Sequence, residues 1–195
     1  MFHTLGKAKR LIMNPQIIIT GSSGTIGKYL ITHSLRNYSC TRINYEICYS
    51  KDALFNFLEK VDARFLIHCA APTNLDDGEI RKKEHKRDIY TVTKNIVDYC
   101  HAKKVKIIYM SSTGVYGDWK EGPYSEKDHC MPTSYHHKCK FMAENYISNN
   151  LHEYFILRLG WVFSSEYSEF NNDFVSKILK TLEKSKKIEC NEIKK

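Results

Sequence analysis

Residues 16–30 read QIIITGSSGTIGKYL. Ile17, Ile18 and Ile19, followed by the β-branched Thr20, make a short apolar run of the kind that forms a buried parallel strand. The run stops at Gly21. From Ile26 onward the apolar positions change period, and Ile26, Leu30, Ile31 and Leu35 fall on one side of a helix. The stretch therefore reads as strand, tight turn, helix. Gly21, Gly24 and Gly27 punctuate the turn. The first lets the chain leave the strand sharply, the second lets backbone approach a diphosphate, and the third lets the new helix pack closely. Amides around Ser23, Thr25 and Ile26, at the positive end of the helix dipole, would then face the anion. Three glycines alone also fit a surface turn that binds nothing. The strand before them and the helix after them favour dinucleotide binding.

Outward from this stretch, strand and helix patterns alternate along the 195 residues. Strands are expected at 40–45, 63–70, 105–110 and 154–159. Helices are expected at 25–36, 52–59, 88–103, 135–149 and 173–187. A charged stretch, 73–87, leads into the third helix, and a Gly- and Pro-containing loop spans 113–133. Such alternation predicts an α/β fold: a Rossmann-type doubly wound parallel sheet with helices on both faces. Residues 14–190 are expected to form this domain, with 1–13 an N-terminal extension and 191–195 a tail; Met13, directly before the first strand, is a candidate natural start.

Bulk properties narrow the function classes. The chain has no run of apolar residues long enough to span a membrane. Its first dozen residues are basic but lack the apolar core and cleavage site of a signal peptide. Seven scattered cysteines, with no C-x-x-C pair, read as free thiols in a reducing cytoplasm. Nine histidines show no ligand spacing, so no metal is expected; the adjacent His136 and His137 point to different helix faces. The net charge of +8 is spread along the chain without a nucleic-acid motif, and suits an anionic small ligand better than a nucleic acid.

The second strand bears on which dinucleotide binds. A carboxylate near its end would favour NAD. This chain offers Asn44 there, while Arg42 could meet a 2′-phosphate, a slight lean to NADP; Arg42 is equally readable as an ordinary exposed strand residue.

Later segments bring a resemblance. HCAAP (68–72) follows one strand and YMSSTGVYG (109–117) another; Pro132, a lysine, Glu144 and LRLGWVF (157–163) come after. In combination these resemble the extended short-chain dehydrogenase/reductase family, and within it the nucleotide-sugar epimerases, dehydratases and dTDP-dehydrorhamnose reductases. The resemblance implies hydride transfer between a nicotinamide, NAD or NADP, and a nucleotide sugar. It implies that Ser112 hydrogen-bonds the sugar oxygen, that a tyrosine exchanges its proton, and that a lysine lowers the tyrosine pKa and holds the nicotinamide ribose. A phenol with a pKa near 10 needs such a cation to act as a base at neutral pH. Cys69, Ala70 and Ala71 match the strand end on which the cofactor lies, and Leu159 and Gly160 the loop passing the nicotinamide. Arg158 is more often structural in this fold. Members often pair through two helices per subunit, which makes 88–103 and 135–149 the candidates for a homodimer.

The chain also departs from the family. Lys140 takes the lysine position, but four residues before it stands His136; Tyr135 is one residue early. One residue turns a helix by ~100°. Either a bulge or the helix start returns the Tyr135 phenol, or His136 replaces it. Ile89 stands where the family often has Asn, and members continue well beyond this chain's end. Two readings compete with the enzyme: a non-catalytic dinucleotide-binding relative that regulates or scaffolds a partner, and a truncated inactive homologue.

Overall fold

The computed structural model describes residues 16–163 and 173–185. The expected extension (1–13), the tail (191–195) and the end of the terminal helix (186–187) lie outside them. The first strand, β1 (Gln16–Thr20), is buried on both faces from Ile17 to Thr20. It turns into α1 (Thr25–Tyr29), which runs on as a π-helical turn, Leu30–Ser34, where Leu35 N–H reaches back to Leu30 O at 2.7 Å. Strand β2 (Cys40–Ile43) follows, then a 3₁₀ turn (Tyr45–Tyr49) and α2 (Lys51–Phe57). Strand β2 stops at Ile43, short of the expected 45, because the Asn44 side chain accepts the Glu46 N–H and starts the 3₁₀ turn.

Strand β3 (Ala63–His68) leads into the charged stretch. That stretch is largely helical: α3 (Leu75–Ile80), α4 (Lys82–Lys86), a π-helical turn (Arg87–Thr91), then α5 (Val92–Lys103). Asn74 opens α3 by accepting the amides of Asp76 and Asp77. No apolar stripe announces these helices because their inner contact is polar: the buried His85 imidazole lies against Gly78, where a Cβ would come within 2.9 Å of its Nε2. Then come β4 (Lys106–Ser112), α6 (Tyr135–Asn150), β5 (Tyr154–Leu159) and α7 (Phe174–Ser185).

The five strands are all parallel, in the order β2-β1-β3-β4-β5. The winding reverses between β1 and β3, which makes their carboxyl ends the switch point where doubly wound sheets bind ligands. Thr20 lies opposite Ile43 on one side and His68 on the other, so these three strands end level. Strand β4 runs further, to Ser112, with Leu159 of β5 beside it.

Helices cover both faces. On one, Leu54 of α2, Val92, Ile96 and Val97 of α5, and Ala143 and Ile147 of α6 bury Ile18, Leu66 and Ile107. On the other, Ile26, Leu30 and Ile31 pack over Ile17, Ile19, Ile67 and Met110. This second core thins toward β5, where Phe155 and Leu157 are exposed.

Candidate functional site

The strand ends at the switch point are tied together by a buried chain. Thr93 Oγ1 donates to Ile89 O at 2.6 Å, so it must accept the proton on His68 Nε2, 3.0 Å away. His68 Nδ1 then accepts from Thr20 Oγ1 at 2.7 Å, and Thr20 accepts the Ala70 N–H. Burial, with a smaller contribution from the Lys140 charge, pushes the His68 pKa down to about 3, which keeps the ring in this neutral tautomer.

The glycine turn is built on this base. Gly21 has φ +68, and a Cβ there would lie 2.6 Å from Ala70 N, so β1 and β3 close on each other only without a side chain. A Cβ at Gly27 would strike Gly21 O; this glycine packs the helix against the turn itself. At Gly24 the surroundings are different. Its φ is −76 and the nearest atom to a Cβ would be Gly21 O at 3.5 Å, an ordinary contact. Among the described residues nothing demands a glycine there, and the open space is of the kind a diphosphate would fill. The Gly24 N–H bonds inward to Gly21 O at 3.1 Å. The first-turn amides of Thr25 and Ile26 have no carbonyl within the helix to bond.

These ends open into a cleft of about 920 Å³. The whole turn from Gly21 to Gly27, Ser23 included, lines one side. Arg42 and Asn44 line the far end, and Cys69, Ala70 and Ala71 the floor. Ser112, His136, Lys140, Leu159 and Gly160 line the other end. The Asn44 side-chain oxygen is already spent as the cap of the 3₁₀ turn. Burial raises the Cys69 pKa to about 11, so its thiol stays protonated.

Among the expected site residues, Tyr135 is the one absent from this lining. Helix α6 begins at Tyr135 without a bulge, capped by Ser134. The phenol therefore shares a face with Cys139, away from Lys140. Its backbone N–H meets Glu79 at 2.6 Å, and its ring lies 5.6 Å from the Lys82 ammonium. Burial, then Cys139, raises its pKa further from the neutral range.

His136 is in the lining, but its Nδ1 is 2.9 Å from His85 Nε2 and the residue is 6 % exposed. Burial first, then Lys140 and the neighbouring histidines, push its pKa down to about 3. Lys140 is equally buried. Its Nζ donates to Met110 O at 2.6 Å and lies 4.9 Å from the Tyr109 ring centroid. Desolvation lowers its pKa to about 8, against the smaller opposing effects of Cys69 and Glu144. Glu144 accepts from Ser111 and is held at 2.7 Å by Arg158, a structural pair under the site.

Among the cleft residues that were not sequence candidates, His137 is the one bonded to Ser112. His137 Nε2 lies 3.2 Å from Ser112 Oγ and its Nδ1 2.8 Å from Ser134 Oγ. A doublet of adjacent histidines at a helix start does not announce this; the signal was Ser134, an N-cap three residues before it. Among the described residues no group of three His, Cys, Asp or Glu side chains could hold a metal ion, and no helix is long and apolar enough to cross a membrane.

Comparison with known proteins points the same way as the fold. The chain is 25% identical over 173 residues to a dTDP-4-dehydrorhamnose reductase of Aggregatibacter actinomycetemcomitans, covering 85% of this chain and 56% of that protein. It is 28% identical over 156 residues to an ADP-L-glycero-D-manno-heptose-6-epimerase of Brachyspira hyodysenteriae, covering 68% and 48%. Among solved structures, a Bacillus anthracis dTDP-4-dehydrorhamnose reductase in complex with NADP superposes with a TM-score of 0.80 over 87% of this chain and 61% of that one, at 20% identity, which speaks to the fold. The chain thus spans about half the length of the curated relatives it matches. The profile of the RmlD substrate binding domain matches residues 14–193, a span that takes in every described strand and helix, and the chain belongs to that family.

Proposed function

We propose that the cleft holds NADP or NAD and that the chain is the cofactor-holding portion of an oxidoreductase acting on a nucleotide sugar by hydride transfer. The observation that carries this reading is Gly24: a glycine that packing does not require, on an open turn at the switch point, facing a cleft long enough for a dinucleotide. The relatives are a nucleotide-sugar reductase and epimerase, and the superposed reductase was solved with NADP.

A nicotinamide dinucleotide, when bound, supplies or accepts the hydride. The chain's own residues do the rest. The turn would seat the diphosphate and Arg42 would meet a 2′-phosphate, which favours NADP. Ala70 and Ala71 leave the strand end low enough for a ring to lie on it. Lys140 would hold the nicotinamide ribose, and Ser112 would hydrogen-bond the sugar oxygen. A homodimer through α5 and α6 also belongs to this proposal. Of the large apolar side chains exposed among the described residues, Met142 is the one on these two helices, so such a contact would be mostly polar.

Cofactor titration followed by turnover tests the reading. NADP at a hundred times its Kd should stabilise the protein by about 2.7 kcal/mol, read as a rise in Tm. Reduced NADP should then be oxidised on adding a dTDP- or ADP-linked keto sugar. No Tm shift with either dinucleotide sinks the proposal. The position of Tyr135 outside the cleft favours a second reading, a dinucleotide-binding relative without turnover. Binding without oxidation of the cofactor would select it.

A further inference from the structure

Taken with the proposed function, the cleft lacks its expected proton carrier: Tyr135 faces away and His136 is bonded to His85. His137 fills the gap by geometry. It is the third residue of α6, and Ser134 Oγ accepts its backbone N–H at 3.3 Å while meeting its Nδ1 at 2.8 Å. The cap of the helix thus also orients the ring. Across the cleft wall, Ser112 Oγ lies 3.2 Å from Nε2 and also accepts the Gly114 N–H at 3.2 Å. Gly114 supports the ring from below; a Cβ there would overlap the imidazole. The base is held by an orienting partner and aimed at the hydroxyl expected to meet the substrate oxygen.

We propose that His137 carries the proton to and from the substrate oxygen, through the Ser112 hydroxyl, in place of the family tyrosine. In reduction, the substrate carbonyl carbon gains a hydride from the reduced dinucleotide, which is oxidised. The carbonyl π pair moves to oxygen, and that oxygen takes the Ser112 proton. Ser112 is reprotonated by the His137 imidazolium from Nε2, and the neutral ring regains a proton from solvent. Ketone, reduced dinucleotide and one proton become alcohol and oxidised dinucleotide. Both partners of the ring are hydroxyls, which rotate to donate or accept, so the imidazolium and the neutral imidazole are each satisfied. The charge that bears on the ring is the Lys140 ammonium of the same helix; His136 beside it is neutral, and Ser112 and Gly114 facing it are uncharged. Burial and that ammonium hold the His137 pKa below its usual 6.5.

The test has a cofactor-free arm and a kinetic arm. In the protein without dinucleotide, ring ¹⁵N spectra should show one histidine whose titration and tautomer change in both Ser112→Ala and Ser134→Ala, and whose signal disappears in His137→Gln. A histidine indifferent to Ser112→Ala overturns the proposal. With reduced NADP and a dTDP-linked keto sugar, wild-type kcat/KM for reduction should fall as pH rises through a value below 6.5. His137→Gln should lose about 100-fold or more of kcat and that limb of the profile, with cofactor Kd changed less than about threefold. Free imidazole should restore part of the rate to His137→Gly. Tyr135→Phe should cost less than about threefold. If Tyr135→Phe loses more than His137→Gln, or if the wild type binds dinucleotide yet reduces no keto sugar, the proposal fails while dinucleotide binding stands. If the wild type binds no dinucleotide, the underlying reading fails with it.

Discussion

At the scale of single residues, Lys140 shows how this site stores a charge against the preference of its surroundings. Lys140 is 6 % exposed, and its ammonium lies against the Tyr109 ring and donates to the Met110 carbonyl. Folded, it gives up its proton near pH 8; unfolded, near 10.5. Between those values the unfolded chain binds the extra proton, so stability rises with pH across the window. Relative to Lys140→Met, wild type should gain stability from pH 7.5 to pH 10.5 by about 3 kcal/mol at most. Urea unfolding of both proteins at the two pH values measures this; parallel curves would mean that the ammonium is hydrated. Lys140→Met should also weaken dinucleotide binding at pH 7, whereas Cys139→Ala, one position away but facing the core, should leave it alone.

At the scale of elements, the glycine turn and α1 separate two kinds of glycine. Gly27 is needed by the fold, because a side chain there meets the backbone carbonyl of Gly21, and backbone does not step aside. Gly27→Ala should destabilise the protein by about 2–3 kcal/mol, seen as a lower urea midpoint at unchanged slope. Gly24 has a negative φ, and its Cβ would make ordinary contacts. Gly24→Ala should shift stability by less than about 0.5 kcal/mol and still weaken NADP binding by about tenfold or more, because the methyl takes the diphosphate's place. Calorimetric titration of the two variants distinguishes these roles. Equal stability loss from both would return the turn to pure architecture.

At the scale of the whole molecule, the joint between β1, β3 and α5 depends on neutral buried imidazole. His68 links Thr20 to Thr93, and His136 meets His85 under the cleft. Both titrate near pH 3 in the folded chain against 6.5 when free. As pH falls below 6.5 the unfolded chain takes protons that the folded one refuses. The stability present above that value is therefore lost progressively toward pH 3. At pH 5 each ring should cost up to about 2 kcal/mol. Urea midpoints at pH 7.5 and 5.0 should differ accordingly, and His68→Gln should flatten the difference; an unchanged slope in that variant would place the acid sensitivity elsewhere.

The order of elements, the parallel sheet and the glycine turn were legible in the chain itself, because they rest on local chemistry. Ile17 to Thr20 form a β-branched apolar run bounded by glycine, the period changes at Ile26, and Gly21 lets the chain leave the strand sharply. Cleft residues adjacent to that turn were legible for the same reason. What only the tertiary structure decided is which side chains of α6 reach the cleft. Helix rotation is set by where Ser134 starts the helix and by which face the core claims. Cys139, Ala143 and Ile147 turn inward. Tyr135 follows Cys139 and leaves the site, while His137 is carried to Ser112. The helices over 75–86 were hidden likewise, since their packing runs through His85 on a glycine rather than through an apolar stripe. Spacing along a chain fixes angles within an element; the partner across a cleft depends on how two elements dock, and that is a property of the packed whole.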